Sequence, residues 1–351
     1  MKKIKERIGE FTGGCQYTEK PDFPRVIMFE ATNACNHKCV FCSQNLMTRP
    51  VGYLNLDVFA DIARQAFDLG ARDCGLHTDG EPLMNKNLHL YVGKLKEIGY
   101  PYVFITTNGA LASPQRASVL LDAGLDSIKF SVNGGDRRSY AEIHGRDDFD
   151  LVCRNVEFVD RYRKEKCLEV YLSISFVETP ENAPTYGLLE ERFGSIVDEI
   201  YRIKAFNQSG QMSQLPSKFV AKQAESDADA GYIREKFEYP DEACPRPFNA
   251  MHVSKEGYLR ACCNDYQNML AIDDLNAMTL AEAWHGERFR EFRRRHLDHR
   301  CEGTLCFNCI HGTNEPVAPV NPSLSDLPAI GGTRAVNAED PRSAQPTMEK
   351  P

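Results

Sequence analysis

Three cysteines lie within eight residues near the start of the chain, in the spacing C-x3-C-x2-C. They are Cys35, Cys39 and Cys42, in the segment Glu30-Ala-Thr-Asn-Ala-Cys-Asn-His-Lys-Cys-Val-Phe-Cys42. One loop cannot bury three small side chains independently, so thiol reactivity rather than packing explains their presence. A cubane [4Fe–4S] cluster normally takes four thiolates. A loop that offers three therefore leaves one iron open to a small molecule.

A zinc site is the alternative interpretation of this loop, with His37 or a more distant residue as the fourth ligand. Structural zinc usually joins two short C-x2-C-like arms that a longer loop separates. Three cysteines in a single arm fit that arrangement poorly. Both kinds of site stay open on the residues of the loop alone.

The composition is that of an ordinary soluble globular protein, with 42% hydrophobic and 26% charged residues among 351. No apolar run is long enough to cross a membrane, and no apolar segment typical of a signal peptide follows the basic start. Thirteen cysteines without such a signal predict a reducing, cytoplasmic compartment, where cysteines serve as ligands or free thiols. The net charge of −8 makes nucleic-acid binding unexpected.

Short apolar runs alternate with helical patterns from residue 25 onwards. Six strands are predicted, at 26–29, 73–77, 102–106, 127–132, 168–177 and 196–203. Each strand but the last is followed by a helical pattern, which predicts an α/β fold with a parallel sheet and right-handed crossovers. Six units fall short of the eight that close a full barrel. The cysteine loop follows the first strand, at the sheet edge where such folds place their sites.

Composition divides the chain into five segments. They are an irregular lead-in at 1–24, the α/β unit at 25–206, a polar linker or excursion at 207–240, a second cysteine-bearing region at 241–313, and a proline-rich disordered tail at 314–351.

The second cysteine-bearing region contains enough thiols for a complete four-thiolate site. A predicted hairpin carries two cysteines, and a C-x2-C arm follows some forty residues later. Spacing alone does not distinguish structural zinc from an iron–sulfur cluster here. The candidate ligands are Cys244, Cys306, Cys309 and one of the adjacent Cys262 and Cys263.

The first cysteine loop resembles the defining motif of the radical S-adenosylmethionine (SAM) superfamily, including the aromatic Phe41 before the third cysteine. In that family the open iron of a [4Fe–4S] cluster chelates SAM, and reductive cleavage of SAM yields a 5′-deoxyadenosyl radical that abstracts hydrogen from substrate. The resemblance implies a partial (β/α)6 barrel of parallel strands. It also implies S-adenosyl-L-methionine and the cluster as cofactors, with flavodoxin or ferredoxin as a reducing partner.

Four later segments resemble the SAM-binding motifs of the family. His77-Thr-Asp-Gly-Glu-Pro82 resembles Gly-Gly-Glu-Pro, which contacts the SAM amino group, although Asp79 replaces the first glycine. Thr106-Thr-Asn-Gly109 and Ser131-Val-Asn-Gly134 resemble segments that bind the SAM ribose and carboxylate, with plain Asn-Gly turns as the alternative. Tyr140-Ala-Glu-Ile-His-Gly-Arg146 resembles a stretch that often carries an arginine against the SAM carboxylate; here His144 stands near that place and Arg146 lies two residues further on. The implied SAM-binding residues are Gly80, Glu81, Pro82, Asn108, Ser131, Asn133 and Arg146.

The C-terminal pattern resembles the shortened SPASM, or twitch, domain, which binds one auxiliary [4Fe–4S] cluster beside a radical SAM barrel. The shared features are G-x4-C, the Asp274-Leu275 pair and the stretch Trp284-His-Gly-Glu-Arg. Because Cys262 completes G-x4-C, it is favoured over the adjacent Cys263 as a ligand. A fully ligated cluster has no iron open to substrate, so its expected task is the transfer of one electron.

Similar enzymes with one auxiliary cluster include dehydrogenases of 2-deoxy-scyllo-inosamine and aminoglycoside epimerases. The resemblance therefore implies dehydrogenation or epimerisation at a carbinol carbon of a small molecule, a carbohydrate or a natural-product intermediate. An epimerase needs a hydrogen donor, for which Cys263 is a candidate, with a packed core thiol as the alternative. No membrane and no nucleic-acid partner is expected.

Two other functions stay open. A maturase that modifies a ribosomal peptide or a protein uses the same radical chemistry. Against it stand the short C-terminal region and the 24 residues before the first strand, too few for a separate leader-binding domain. A non-catalytic iron–sulfur or zinc protein requires the open-iron loop and the SAM-like turns to be coincidental.

Overall fold

The computed structural model describes residues 14–205, 208, 243–311 and 313–325. Nine strands of these residues form one sheet, in the order β6-β5-β4-β3-β2-β1-β7-β8-β9. The strands are β1 (Val26–Phe29), β2 (Asp73–Gly75), β3 (Tyr102–Thr107), β4 (Ser127–Ser131), β5 (Tyr171–Glu178), β6 (Glu199–Lys204), β7 (Met251–Val253), β8 (Tyr258–Arg260) and β9 (Ala271–Asp274).

Ten α-helices lie in the same part of the chain. They are α1 (Leu56–Asp68), α2 (Leu88–Ile98), α3 (Pro114–Asp122), α4 (Arg137–His144), α5 (Phe149–Glu165), α6 (Tyr186–Phe193), α7 (Arg246–Asn249), α8 (Leu280–His285), α9 (Glu287–Leu297) and α10 (Leu305–His311). Capping residues determine where several of these helices begin or end. The side chain of Asn55 caps α1, and α2 ends at Gly99, whose φ of 113° favours glycine.

The six predicted strands are all present, and every pair from β1 to β6 is parallel. The α/β class of the prediction is therefore confirmed. Their bounds differ by a few residues, since β5 begins at Tyr171 rather than Leu168 and β2 ends at Gly75 rather than His77. The described strands form an open sheet rather than a closed barrel, in agreement with a partial barrel.

The C-terminal region continues this sheet. Strand β7 pairs in parallel with β1, so that Met28 lies beside His252, and β8 and β9 follow antiparallel. The sequence predicted a separate small unit after a linker. A three-residue strand with a histidine at its centre carries no readable periodicity, and its partner β1 is distant in sequence. Local patterns therefore could not show that both cysteine regions share one sheet.

The two faces of the sheet differ in chemistry. Side chains such as Ile105 and Ile174 pack with the helices in the main apolar core. The opposite face carries a small separate cluster, made by Val26, Met28, Tyr102 and Phe104. The strands are close here, because a Cβ added to Gly75 would lie 2.4 Å from the Met28 sulfur.

Residues 14–25 contain no helix or strand, as predicted, but they pack against the C-terminal helices. The Trp284 indole donates to the Pro21 carbonyl at 3.2 Å, and Arg294 pairs with Glu19 at 2.8 Å. The lead-in is therefore a strap that joins the start of the described chain to α8 and α9.

The tail expected at 314–351 is ordered over its first part, which corrects the prediction there. Residues 313–325 pack beside β9, where the Val320 amide donates to the Met269 carbonyl at 2.8 Å and Asn321 donates to the Ile272 carbonyl at 2.9 Å. A proline-rich composition indicates that a segment has no helical or strand periodicity, but it does not indicate that the segment makes no contact with the fold. The rest of the tail, and the linker at 207–240 apart from Gln208, lie outside the described residues. No described helix is long and apolar enough to span a membrane.

A continuous sheet predicts that both cysteine regions unfold together. Trp284, the single tryptophan, is fully buried in the C-terminal region, and Ile174 is fully buried on β5. We expect Ile174→Ala to lower the free energy of unfolding by about 2–5 kcal/mol. Urea transitions followed by tryptophan fluorescence and by circular dichroism should shift equally, because a two-state unit gives coincident probes.

The control is Leu188→Ala, which truncates an exposed side chain on α6 and should leave both transitions in place. If the circular-dichroism transition of Ile174→Ala shifts and the fluorescence transition does not, the sheet is not a single cooperative unit.

Candidate active site

The loop with the first three cysteines follows β1, at the carboxyl edge of the parallel strands. None of the thirteen cysteines is in a disulfide, and all thirteen are in described residues. Burial raises the pKa of Cys42 to about 11, and burial followed by the charges of Cys42 and Cys35 raises the pKa of Cys39. Three close, sheltered thiols fit an iron–sulfur cluster, because bound iron keeps thiolates that burial would otherwise protonate.

Helix α4 holds this loop from one side. The Lys38 amide donates to the His144 carbonyl at 3.1 Å, and the Val40 amide donates to the Ile143 carbonyl at 2.9 Å. Inside the loop, the Asn45 side chain donates to the Cys39 carbonyl at 2.9 Å. The cysteine backbone is thus fixed before any cofactor binds.

The turn after β2, Thr78-Asp-Gly-Glu-Pro82, lies directly against the cysteine loop. The Glu81 amide donates to the Ala34 carbonyl at 2.8 Å. A Cβ on Gly80 would lie 2.4 Å from the Thr32 carbonyl oxygen, so the close approach requires glycine. The structure therefore brings Gly80, Glu81 and Pro82 beside the three cysteines.

The Glu81 carboxylate connects the ends of β2 and β3. It accepts hydrogen bonds from the Thr107 hydroxyl at 2.7 Å and from the backbone amides of Asn108 at 2.6 Å and Leu83 at 2.9 Å. Burial raises its pKa, and these donors oppose the rise. The Asn108 side chain donates to Asn36 in the cysteine loop at 2.8 Å, so Glu81 and Asn108 both lie in the predicted SAM region.

The residues after β4 are engaged within the protein. The Ser131 hydroxyl lies 3.4 Å from that of Ser175. The Asn133 side chain accepts from the Val177 amide at 2.7 Å, and its nitrogen lies 3.2 Å from Nε2 of His144. Both polar groups of Asn133 thus stabilise the turn, which supports the structural interpretation for this residue.

Arg146 and Phe41 lie at the rim of the loop. Arg146 is about half exposed, pairs with Asp148 at 3.1 Å and donates to the Asn36 carbonyl. The Phe41 carbonyl accepts from the Gln208 side chain at 2.7 Å. Their roles toward SAM stay predictions.

No sequence motif signalled a pair of buried histidines beside Cys39. Nδ1 of His144 lies 3.5 Å from the Cys39 sulfur and 3.2 Å from Nδ1 of His37, and Nε2 of His37 lies 3.2 Å from Asp148. The ligand atoms of His37, Cys39 and His144 are within 4.8 Å of one another, close enough for a metal ion. A histidine 105 residues away in sequence could not be assigned to this loop beforehand.

The four predicted ligands of the second site are gathered by the C-terminal fold. The pKa of Cys306 is raised by burial and then by the nearby thiols of Cys244, Cys301 and Cys309. The pKa of Cys262 is raised first by its hydrogen bond with Cys263, then by burial, and also by the nearby thiol of Cys244. The thiols therefore fit a second four-thiolate cluster, and Cys301 is an additional neighbour that the sequence pattern did not select.

Cys262 and Cys263 differ in their hydrogen bonds. Cys263 accepts a hydrogen bond from Arg246 at 3.3 Å. Its pKa is lowered, first by a hydrogen bond from Cys262 and then by the charges of Arg246 and Arg260. These contacts favour a thiolate at Cys263, whereas a hydrogen-atom donor needs an intact S–H. The choice of ligand between the two stays a prediction.

A buried ionic network, made by Glu30, Arg49, Asp79 and Arg260, connects the two cysteine regions. Arg260 on β8 pairs with Asp79 at 2.6 Å, and Arg49 pairs with Glu30 at 2.6 Å and lies 3.6 Å from Asp79. Asp79 replaces a family glycine, and its carboxylate has a partner two residues before Cys262. The substitution therefore has a structural explanation.

Four polar side chains lie in one register row across β3 to β6, on the face away from the helices. Thr106 pairs with Lys129, Lys129 with Ser173, and Ser173 with Glu199. Nε2 of His77 lies 3.0 Å from the Thr106 hydroxyl and extends the row towards the cysteine loop. We call these five residues the polar row. It gives this face of the sheet hydrogen-bonding groups of both positive and negative charge.

Removal of Arg260 should destabilise the protein strongly. Arg260→Leu leaves the buried Asp79 carboxylate without its closest cation, which should cost about 3–5 kcal/mol in the free energy of unfolding. The double variant Asp79→Leu, Arg260→Leu removes both charges and should recover part of this loss. Urea unfolding of the two single variants and the double variant measures the coupling. Strictly additive losses of unfolding free energy would contradict a direct interaction between Asp79 and Arg260.

Comparison with known proteins identifies both regions. Residues 29–174 match the family model of the radical SAM superfamily, and residues 244–310 match the SPASM model, an iron–sulfur cluster-binding domain. Together these matches contain both predicted cysteine sites. They favour iron–sulfur clusters over zinc, which the geometry alone left open.

Two relatives that this chain matches over most of their length have different activities. The chain is 26% identical over 289 residues to a probable GTP 3′,8-cyclase of Sulfolobus acidocaldarius, which covers 75% of this chain and 88% of the relative. It is 23% identical over 292 residues to the S-adenosyl-L-methionine-dependent 2-deoxy-scyllo-inosamine dehydrogenase of Niallia circulans, which covers 81% and 92%.

Solved structures show the same fold. BtrN in complex with AdoMet and 2-DOIA superposes with a TM-score of 0.53 at 19% identity, over 81% of this chain and 92% of that one. SuiB of Streptococcus suis bound to its precursor peptide SuiA superposes with a TM-score of 0.61 at 16% identity, over 81% and 72%. The family matches, beside this likeness of fold, show a radical SAM domain at residues 29–174 and a C-terminal SPASM domain at residues 244–310, with S-adenosylmethionine and [4Fe–4S] clusters as the cofactors.

Proposed function

We propose that this radical SAM enzyme dehydrogenates or epimerises a carbinol carbon of a small, polar, hydroxyl- and amine-bearing molecule of the sugar or cyclitol type. The observation that carries the proposal is the polar row on the face of the sheet away from the helices. The relative that acts on 2-deoxy-scyllo-inosamine covers four fifths of this chain and supports it.

The cofactors have defined places in this proposal. Cys35, Cys39 and Cys42 would hold the SAM-binding cluster, and the C-terminal cysteines Cys244, Cys262, Cys306 and Cys309 the auxiliary one. When bound, the first cluster and SAM supply a 5′-deoxyadenosyl radical. The chain itself fixes the cysteine loop through α4 and places the Gly80 turn against it.

The chemistry of the polar row suits a substrate with hydroxyl and amino groups. Glu199 presents a carboxylate and Lys129 an ammonium group within one register row, with Ser173 between them. Ser173 is fully buried, and its hydroxyl has no hydrogen-bond partner among the described residues. The Tyr171 hydroxyl donates to Glu199 at 2.8 Å and orients that carboxylate. Such a row can bind a ring with several polar substituents in one orientation.

The charges of this face argue against a nucleoside triphosphate. Recognition of a triphosphate calls for several cations, and arginine is favoured because its fork binds two oxygens. Lys129 is the cation of the polar row, and Glu199 is an anion in the same row, with Ser173 between them. The nearby Arg49 and Arg260 are paired with carboxylates. The likeness to SuiB is one of fold, at 16% identity, and does not select a peptide substrate.

The proposed oxidation balances. Hydrogen-atom abstraction from the carbinol carbon breaks its C–H bond and leaves a ketyl radical. Loss of the hydroxyl proton and of one electron then gives a ketone. That electron replaces the one used to cleave SAM, so the net products are ketone, methionine, 5′-deoxyadenosine and one proton. The auxiliary site is the proposed electron acceptor, and epimerisation would instead return a hydrogen atom to the opposite face.

Cysteine variants should separate the two proposed clusters. After anaerobic reconstitution we expect about eight irons per chain, since each cluster holds four, and SAM cleavage on reduction with dithionite. Cys42→Ala should abolish cleavage. Cys309→Ala should lose about four irons per chain and keep SAM cleavage. Cys167→Ala changes an exposed cysteine outside both sites and is the matched control. Bound zinc without any cleavage would contradict the assignment of both sites.

Isotope transfer should identify the substrate class. We expect deuterium from the carbinol carbon of an aminocyclitol such as 2-deoxy-scyllo-inosamine to appear in 5′-deoxyadenosine, as measured by mass spectrometry. Glu199→Gln should raise KM for an amine-bearing substrate at least tenfold, because it removes the charge that faces the amine. SAM cleavage without substrate should not change. Turnover of GTP, with no transfer from any aminocyclitol or sugar, would overturn the proposed function.

A further inference from the structure

His144 is completely buried at the end of α4, and its ring lies between the turn after β4 and the cysteine loop. The Tyr140 ring stacks on it, with the ring centres 4.0 Å apart and an angle of 16° between the planes. A buried, stacked imidazole has one orientation. Its hydrogen bonds therefore decide which ring nitrogen carries the proton.

Nε2 of His144 must be the acceptor nitrogen. The backbone amide of Asn133, which can only donate, points at it from 3.1 Å. The Asn133 side-chain nitrogen lies 3.2 Å from the same atom. This amide is oriented with its nitrogen towards the ring, because its oxygen accepts from the Val177 amide at 2.7 Å. Two donors at Nε2 leave the proton on Nδ1.

Nδ1–H of His144 has two acceptors within reach. The sulfur of Cys39 lies at 3.5 Å and Nδ1 of His37 at 3.2 Å. His37 accepts rather than donates at that atom, because its other nitrogen, Nε2, faces the Asp148 carboxylate at 3.2 Å and carries the proton. Arg146 holds the carboxylate at 3.1 Å. The N–H of His144 thus faces both acceptors, and a Cys39 thiolate attracts it more strongly than the neutral His37 nitrogen because the sulfur carries a negative charge.

We propose that His144 is a positioning residue whose Nδ1–H donates a hydrogen bond to the Cys39 sulfur and raises the reduction potential of the SAM-binding cluster. The inference rests on the proposed role of Cys39 as a cluster ligand. An N–H directed at a ligand sulfur withdraws electron density and stabilises the reduced cluster, which carries one more negative charge. A protonated Nδ1 has no lone pair for a metal, so His144 acts as a donor and not as a zinc ligand.

Two variants and a control test this role through the reduction potential of the SAM-binding cluster. In His144→Leu we expect the reduced-to-oxidised ratio of the SAM-binding cluster to fall about tenfold at a fixed potential, equal to about 59 mV for one electron. His144→Asn, whose amide nitrogen can occupy the place of Nδ1, should restore most of it. His37→Leu removes an equally buried imidazole but keeps the donor, so the ratio should not fall.

The measurement is an EPR-monitored redox titration of the full-length protein with both clusters. The SAM-binding cluster is recognised because its signal changes on addition of SAM. Equal potentials in His144→Leu and wild type, at equal iron content, would overturn the proposal. So would an equal fall in His37→Leu, because loss of any buried imidazole would then explain the effect.

The wild-type protein supplies a test that needs no variant. With histidine labelled with 15N in the imidazole ring alone, so that the His37 backbone amide beside Cys35 gives no signal, pulsed EPR of the reduced, SAM-responsive cluster should show coupling to one histidine nitrogen. Absence of that coupling overturns the proposal even where His144→Leu fails to fold. Iron content and SAM cleavage are measured on the same samples, so a cluster without the coupling is distinguished from a chain that binds no cluster.

Discussion

The buried ion pair between Asp79 and Arg260 is the contact on which the rest of the site depends. It joins the turn after β2 to β8, and with Arg49 and Glu30 it closes a network that neither half of the chain can complete alone. Charges buried this deeply must be paired, so the two cysteine regions are held in one arrangement. The pairing of β7 with β1 makes that arrangement continuous along the backbone.

The site follows from a division of the sheet into two faces. The helices cover one face with an apolar core, and the other carries the polar row. The cysteine loop, the Gly80 turn and the Asn108 turn meet at the carboxyl edge of the strands, where β1, β2 and β3 end. The position of each loop depends on hydrogen bonds to its neighbour. The carboxylate of Glu81, for example, accepts hydrogen bonds from residues at the end of β3.

Patterns of neighbouring residues predicted the features that local chemistry controls. The alternation of apolar runs predicted β1 to β6, and the cysteine spacing predicted the site at the end of β1. The same patterns failed where partners are distant in sequence. The parallel pairing of β7, the ordered stretch around Val320 and the histidines beside Cys39 depend on contacts that no window of sequence contains. The side chain of Asn133 likewise contacts Val177 on β5 and His144 on α4, and its role toward SAM stays a prediction.

The sequence by itself determined the class of fold, the two groups of thiols and the family to which they point, because each is written in the spacing of nearby residues. Only the tertiary structure decided how those groups are related. It placed Asp79 beside Arg260, aligned Lys129 with Ser173 and Glu199, and directed His144 at Cys39. The physical reason is that hydrogen bonds and ion pairs depend on distances of about 3 Å between atoms, and folding sets those distances between residues far apart in the chain.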